Sequence, residues 1–346
     1  MSQLSVDETY AGMLKKLSGV VPEAELYLQA ELVVEIMQLK KDRNAVILGH
    51  NYMEPSLYHT VPDFRGDSLE LARKSAQTDA DVIVFCGVEF MAETAKILSP
   101  DKTVLVPSDR AGCSLASSIT AEDVRNLKKQ FPGAPVVTYV NSYADVKAET
   151  DICCTSGNAK AVVESLKEDQ IIFIPDEYLA KNIARETGKT LIVPGADGRV
   201  SAIDGRADLI SWPGKCEVHE QFTVEDIEGV RKQFPDVKIL AHPECPPEVC
   251  EAADYSGSTS RMIHFVQESS AKQFMLMTEC SMGDNIAAEN PDKELLRLCS
   301  IRCPHMAQIS LKMTRDALLL NRFEVNVDPE VRVRAKASLD RMLAIH

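Results

Sequence analysis

The chain has 346 residues, a formal net charge of −14, 45% hydrophobic residues and 26% charged residues. That acidity argues against non-specific nucleic-acid binding, and no apolar run nears the ~18 residues of a membrane span. The length calls for two or three domains at ~100–200 residues each. Residues 1–20 carry Asp7, Glu8 and two lysines without an apolar core, so no signal peptide is expected and the chain is assigned to the cytoplasm. Ten cysteines in a reducing compartment argue against a disulfide framework.

Residues 22–42 read as an amphipathic helix opened by Pro22, with Leu28, Leu32, Ile36 and Leu39 on one face. Residues 44–52 are an apolar run that predicts a buried parallel strand, leading into Gly49-His50-Asn51-Tyr52. Asp67 is an N-cap, and Glu70 completes a capping box with it. Strands follow at 81–86 and 103–107, and Cys113 lies in the next loop.

The pattern then recurs twice. First strands fall at 45–50, 135–141 and 237–244. Second strands open on Asp81, Asp151 and Asp254, and third strands fall at 103–107, 171–175 and 274–278. The prediction is an α/β chain of three similarly wound three-layer α/β/α domains with short parallel sheets. The expected division is an N-terminal segment 1–21, a first domain 22–107 plus 285–346, a second 108–195 and a third 196–284. The stretch 194–213 reads as a loop, 306–321 as a helix, and 330–344 as a last helix with Val331, Ala335, Leu339 and Met342 on one side. The two last helices are expected to return to the first domain.

Ligands of parallel sheets bind beyond the carboxyl ends of the strands. His50, Asn51 and Tyr52, Tyr139 and Asn141, and His242 and Glu244 fall there. Ser68, Ser156, Ser258 and Thr259 fall at helix starts, where they either cap the helix or together receive a small polyanion. An imidazole beside a carboxylate, as in His242-Pro243-Glu244, suits general acid–base work; a hydrogen-bonded structural histidine is the plainer reading.

Cys86, Cys153 and Cys154 lie in or beside apolar strands and read as core. Cys113, Cys216 and Cys303 fall in turn-rich segments, one after each unit. Three converging thiolates suit zinc, or an iron–sulfur cluster with one iron lacking a protein ligand. Cys245, Cys250, Cys280 and Cys299 stay open.

Taken together, the motifs resemble the quinolinate synthase family over about residues 30–344. They are Gly49-His50-Asn51-Tyr52, Gly66-Asp67-Ser68-Leu69, Met91-Ala92-Glu93-Thr94, Gly112-Cys113-Ser114-Leu115, Tyr139-Val140-Asn141-Ser142, Thr155-Ser156, Lys215-Cys216-Glu217-Val218-His219, His242-Pro243-Glu244, Gly257-Ser258-Thr259-Ser260 and Cys303-Pro304-His305-Met306. The resemblance implies three α/β/α domains about a pseudo-threefold axis. It implies condensation of iminoaspartate with dihydroxyacetone phosphate to quinolinate, with loss of phosphate and two waters, in NAD biosynthesis. It further implies a [4Fe–4S] cluster held by Cys113, Cys216 and Cys303, whose open iron acts as a Lewis acid. His50, Ser68, Tyr139, Asn141, Ser156, His242, Glu244, Ser258 and Thr259 would bind substrate, and His50, Tyr52, His242 and Glu244 would move protons. L-aspartate oxidase or aspartate dehydrogenase would supply iminoaspartate, and iron–sulfur assembly machinery would supply the cluster. Some members carry a Cys-x-x-Cys-x-x-Cys run at the last ligand; Ser300 stands at its middle position here, so a regulatory disulfide of that kind is not expected. Two other readings compete: an iron–sulfur hydro-lyase acting on a small carboxylic acid, and a non-enzymatic iron–sulfur sensor or scaffold.

Overall fold

A computed structural model describes residues 5–195, 207–296 and 301–345. Cys299, Ser300 and residues 196–206 of the expected 194–213 loop lie outside the described residues.

The chain begins with a helix that hydropathy did not announce, α1 (Val6–Leu17). Ser5 accepts the Glu8 N–H while Glu8 reaches back to Ser5, a reciprocal capping box. The helix packs on α2 (Glu23–Asp42), which buries Leu26, Ala30, Val33 and Ile36. Of the face expected for α2, Ile36 is buried and Leu32 and Leu39 pack against the core, and only Leu28 is corrected. Leu28 is 72% exposed, because it sits two residues from Leu26 and so on the opposite side.

The first sheet is built from β1 (Ala45–His50), α3 (Pro55–Tyr58), β2 (Phe64–Gly66), α4 (Ser68–Gln77), β3 (Val82–Cys86), α5 (Glu89–Leu98) and β4 (Thr103–Leu105), with strand order β2-β1-β3-β4. After α6 (Ala121–Gln130) come β5 (Val136–Tyr139), α7 (Ala144–Ala148), β6 (Ile152–Cys154), α8 (Ala159–Ser165), β7 (Ile171–Ile174), α9 (Glu177–Thr187), β8 (Leu191–Ile192) and β9 (Leu209–Ile210). Their order is β6-β5-β7-β9-β8. After α10 (Val224–Gln233), the third sheet takes β10 (Lys238–Ala241), α11 (Pro247–Ala252), β11 (Tyr255–Ser256), α12 (Thr259–Glu268), β12 (Gln273–Met277), α13 (Cys280–Glu289) and β13 (Glu294–Leu296), ordered β11-β10-β12-β13. The strands of each sheet pair in parallel, and helices flank the sheets. Alternate residues bury on opposite faces. In β12, Phe274 and Leu276 enter one core, and Met275 and Met277 the other. The second sheet runs past residue 195 to include β9, and the third runs past 284 to include β13. Among the described residues no helix is long and apolar enough to cross a membrane.

One hydrogen bond repeats in every unit and fixes the register between them. Ile47 N–H donates to Asp63 Oδ2 at 2.8 Å, Val136 N–H to Asp151 Oδ2 at 2.8 Å, and Ile239 N–H to Asp254 Oδ2 at 2.9 Å. Each aspartate returns its own N–H to the same strand residue's carbonyl. The repeat alignment read from sequence is thus corrected in the first unit. Its equivalent aspartate is Asp63, not Asp81; its second strand is β2; and 82–86 and 103–105 are its third and fourth strands. The strand β2 escaped notice because it is three residues long and exposes Phe64 and Arg65.

After the last strand of each sheet the chain makes the same turn. One-turn 3-10 helices stand at Ala116–Ser118, His219–Gln221 and Met306–Gln308, each three residues past a cysteine. Thr120, Thr223 and Ser310 then cap α6, α10 and α14 (Leu311–Leu320). The helix expected over 306–321 is therefore a turn plus a shorter helix. It packs on α2 and β3. The last helix, α15 (Pro329–Ala344), does not return to the first unit alone. Its Ser338 donates to Lys147 O in α7 at 3.1 Å and meets Cys153 of β6 at 3.3 Å, so it docks chiefly on the second unit. Gly214 sits in the turn before Cys216, where Glu177 N–H donates to its carbonyl at 2.8 Å. A Cβ there would lie 2.5 Å from Pro175 O.

Two outcomes follow. Asp63→Ala, Asp151→Ala and Asp254→Ala each strand a strand N–H and should lower stability in urea by about 1–3 kcal/mol. For Asp254, burial opposes ionisation, but Ile239 N–H, Lys238 and Arg231 outweigh it and hold its pKa down. Its contribution is full above the unfolded carboxyl pKa and fades as pH falls, so Asp254→Ala should approach the parent's stability in acid. Gly214→Ala must push the Cys216 turn away from Pro175; its thermal midpoint should fall, whereas Gly12→Ala, with open space around it, should not lower it.

Candidate active site

The common register carries a consequence for the strand ends. Three residues beyond the anchored Ile47, Val136 and Ile239 stand His50, Tyr139 and His242; five beyond stand Tyr52, Asn141 and Glu244. The second strands do the same. Gly66 pairs with His50 and Cys154 with Tyr139, so Ser68 and Ser156, each two residues on, are equivalent. In the third unit Ser256 pairs with Ala241, which brings Thr259 to that place.

These positions converge on one cavity with about 730 Å³ of atom-free space, part of it open to solvent. It is lined by His50, Tyr52, Ser68, Cys113, Tyr139, Asn141, Ser156, Cys216, His242, Glu244, Thr259 and Cys303. Of the residues that the resemblance assigns to the site, Ser258 alone is absent from that lining; Asn51, also at a strand end, lies behind it and donates to Thr259 Oγ1 at 2.9 Å. Ser258 caps α12 and donates to Asp67 Oδ2 at 3.1 Å.

Glu244 is the electrostatic centre. Its Oε2 lies 2.8 Å from His219 Nδ1 and 3.2 Å from His242 Nδ1, and its Oε1 accepts from Asn141 Nδ2 at 3.1 Å. Burial alone would raise this carboxyl, but charge and hydrogen bonds from His219 and His242 hold it well below the usual carboxylate range. Its neighbours shift the other way. Burial, then Glu244, pushes Tyr52 and Tyr139 well above the phenol range. Burial, then His242, lowers His50 to about 3, and that ring accepts Tyr52 N–H on Nδ1 at 3.2 Å. His50 is therefore neutral near pH 7, with its proton on Nε2. On the far side of His242, Nε2 is 3.2 Å from Ser156 Oγ, giving a hydroxyl–imidazole–carboxylate chain across two sheets.

His219 is the central residue that strand reading missed, because it lies in a turn and not at a strand end. It stacks on His242 at 4.6 Å and meets Thr278 Oγ1 at 2.9 Å through Nε2. Thr278 in turn holds Tyr52 OH at 2.5 Å. A signal for it did exist. Cys113, Cys216 and Cys303 each precede a Thr or Ser helix cap by seven residues, which marks the same turn three times.

The three cysteines are free thiols with one local geometry. Each sulfur accepts backbone N–H from the residues two and three further on: Leu115 and Ala116, Val218 and His219, His305 and Met306. Burial raises Cys113 to about 12 and Cys303 to about 11, and carries Cys216 well above the thiol range. Cys303 raises Cys113, and Cys113 raises Cys216, so the sulfurs feel one another. Three thiols with preset N–H donors, in one cavity, fit a cationic metal centre whose charge would make them thiolates. Cys245, Cys250 and Cys280 are buried and absent from the cavity lining. Around the mouth, Glu217 Oε1 accepts from Ser114 Oγ and lies 3.0 Å from His305 Nε2, tying the three cysteine turns together.

A family model described as quinolinate synthetase A protein matches residues 34–344. Quinolinate synthase 2 of Mesorhizobium japonicum is 50% identical over 341 residues, covering 99% of this chain and 99% of its own length. The quinolinate synthase of Agrobacterium fabrum is 51% identical over 335 residues, covering 97% and 92%. That of Xylella fastidiosa is 53% identical over 310 residues, covering 90% and 86%. The chain belongs to the quinolinate synthetase A family.

Proposed function

We propose that this enzyme condenses iminoaspartate with dihydroxyacetone phosphate to form quinolinate, releasing phosphate and two waters, in the cytoplasmic synthesis of NAD. The observation that supports it most is the meeting of three equivalent cysteine turns with the Ser156–His242–Glu244 chain in one cavity. In this reading Cys113, Cys216 and Cys303 hold a [4Fe–4S] cluster. Bound there, such a cluster supplies an open iron that serves as a Lewis acid toward a substrate oxygen or nitrogen.

The protein's own part is binding and proton handling. Hydroxyls of Ser68 and Thr259 stand in the first turns of α4 and α12, where free N–H groups favour the substrates' anionic groups. Tyr52, Tyr139 and His50 Nε2–H are neutral donors near pH 7, suited to oxygens that gain charge. Glu244 stays ionised and orients His242 and His219, so His242 can exchange a proton with the Ser156 hydroxyl at Nε2 while the carboxylate steadies the charged ring. Ser258 acts one step back, by holding α12 and Asp67. Iminoaspartate would come from L-aspartate oxidase or aspartate dehydrogenase, and iron–sulfur assembly machinery would load the cluster.

The test is anaerobic purification with iron and sulfide analysis and an assay of quinolinate from the two substrates. We expect a brown protein with the iron and sulfide of one [4Fe–4S] cluster, lost in Cys113→Ala, Cys216→Ala and Cys303→Ala but kept in Cys245→Ala and Cys299→Ala. A cluster that survives any of the first three substitutions would sink the ligand assignment. A hydro-lyase would give no quinolinate, and a sensor would show a closed cluster and no turnover. His242→Ala should lower kcat by about 10²–10⁴-fold with the cluster spectrum intact.

A further inference from the structure

We propose that, before a cluster is built, Cys216, His219 and Glu244 form a mononuclear site for a divalent transition-metal ion of the zinc type. This inference touches the cluster reading at one point: Cys216 is shared, so the two occupants exclude each other.

The threefold pattern is broken at the decisive position. Three residues beyond the cysteine stand Ala116, His219 and Met306, so a single turn offers an imidazole beside its thiol. His219 Nδ1 is 3.2 Å from Cys216 Sγ and 2.8 Å from Glu244 Oε2, and the three ligand atoms all lie within 4.8 Å of one another. A tetrahedral site with bonds of ~2.0–2.3 Å separates its ligand atoms by ~3.3–3.7 Å. Widening the His219–Glu244 and His219–Cys216 separations by less than an ångström therefore brings these ligands to that spacing. His242 Nδ1, 3.2 Å from the same Glu244 oxygen, or a water would take the fourth place.

Every ligand already has the partner that a metal ligand needs behind it. Thr278 Oγ1 stands 2.9 Å from His219 Nε2. In the metal-free protein, His219 Nδ1–H donates to Glu244. On metal binding Nδ1 gives up that proton, the ring takes its other neutral tautomer with one proton on Nε2 donated to Thr278 Oγ1, and the Cys216 thiol proton is released to solvent. Asn141 donates to Glu244 Oε1 and leaves Oε2 for the ion. Val218 and His219 N–H groups stabilise the Cys216 thiolate. A thiolate, a carboxylate and a neutral imidazole give a dication charge balance in a buried place, and mixed sulfur and nitrogen donors favour zinc over iron(II).

The experiment titrates cluster-free, reduced, full-length protein with Co²⁺ as the spectroscopic probe, followed by displacement with Zn²⁺. We expect one cobalt per chain, a thiolate-to-cobalt charge-transfer band and the d–d intensity of a four-coordinate ion. Cys113→Ser and Cys303→Ser should keep that spectrum, and Cys216→Ser should lose the charge-transfer band. His219→Gln and Glu244→Gln should weaken binding by more than the about 10–100-fold that loss of an outer partner costs. Thr278→Val, which removes no ligand, should keep the band and weaken binding by about 10–100-fold, a readout that stands if Glu244→Gln misfolds. Zinc-loaded protein should take up no cluster until a chelator removes the ion. Absence of the band in the unaltered chain overturns the proposal. So does a band lost in Cys113→Ser or Cys303→Ser yet retained in His219→Gln and Glu244→Gln, since the three thiols would then be the ligands. Failure of cluster assembly in every preparation leaves the cobalt result standing, and normal assembly without cobalt binding removes this inference alone.

Discussion

Three buried-edge hydrogen bonds hold this architecture in step. Asp63, Asp151 and Asp254 each accept an N–H from a first strand and fix how far the second strand slides along it. A slip of one residue in a parallel pair turns every side chain to the other face. With the register held, positions three and five beyond the anchored residue point the same way in all three units. The six side chains His50, Tyr52, Tyr139, Asn141, His242 and Glu244 are the result.

The centre so formed is asymmetric in charge although its scaffold repeats. Equivalent positions carry a phenol, an amide and a carboxylate, or two imidazoles and a phenol. Glu244 is the group that ionises easily, because His219 and His242 offset the cost of burying it. Burial keeps Tyr52 and Tyr139 protonated and raises the nearby Cys216, and the charge of Glu244 adds to it in each case. One carboxylate therefore reinforces what burial imposes on much of the cavity. A repeated fold supplied three similar corners, and different residues at those corners gave each a different chemical task.

The legible parts of the sequence were those with strong local signals. Apolar runs gave the long strands, and the Asp67–Glu70 pair gave a helix start that the structure bears as a capping box. Motif order identified the family. What escaped were short elements and faces chosen by packing. The exposed three-residue β2 has no hydropathy signature, and its omission shifted the first unit's alignment. Leu28 is as apolar as Leu26, and only contact with α1 and the first sheet decides which side of α2 is inward. The last helix docks through Ser338 on Lys147 and Cys153, a small polar fit that periodicity cannot direct toward one unit or another.

By itself the sequence determined the repeated α/β units, the three cysteines set off in turns, and the polar residues at strand ends. Those follow from local patterns of hydropathy, turn and cap residues within a few positions of one another. Tertiary structure alone decided that His219 leaves its turn to join Glu244 and His242, and that Ser258 faces Asp67 while Thr259 lines the cavity. These contacts join residues of separate segments or units, where distance in space is set by the packing of three sheets and not by spacing along the chain.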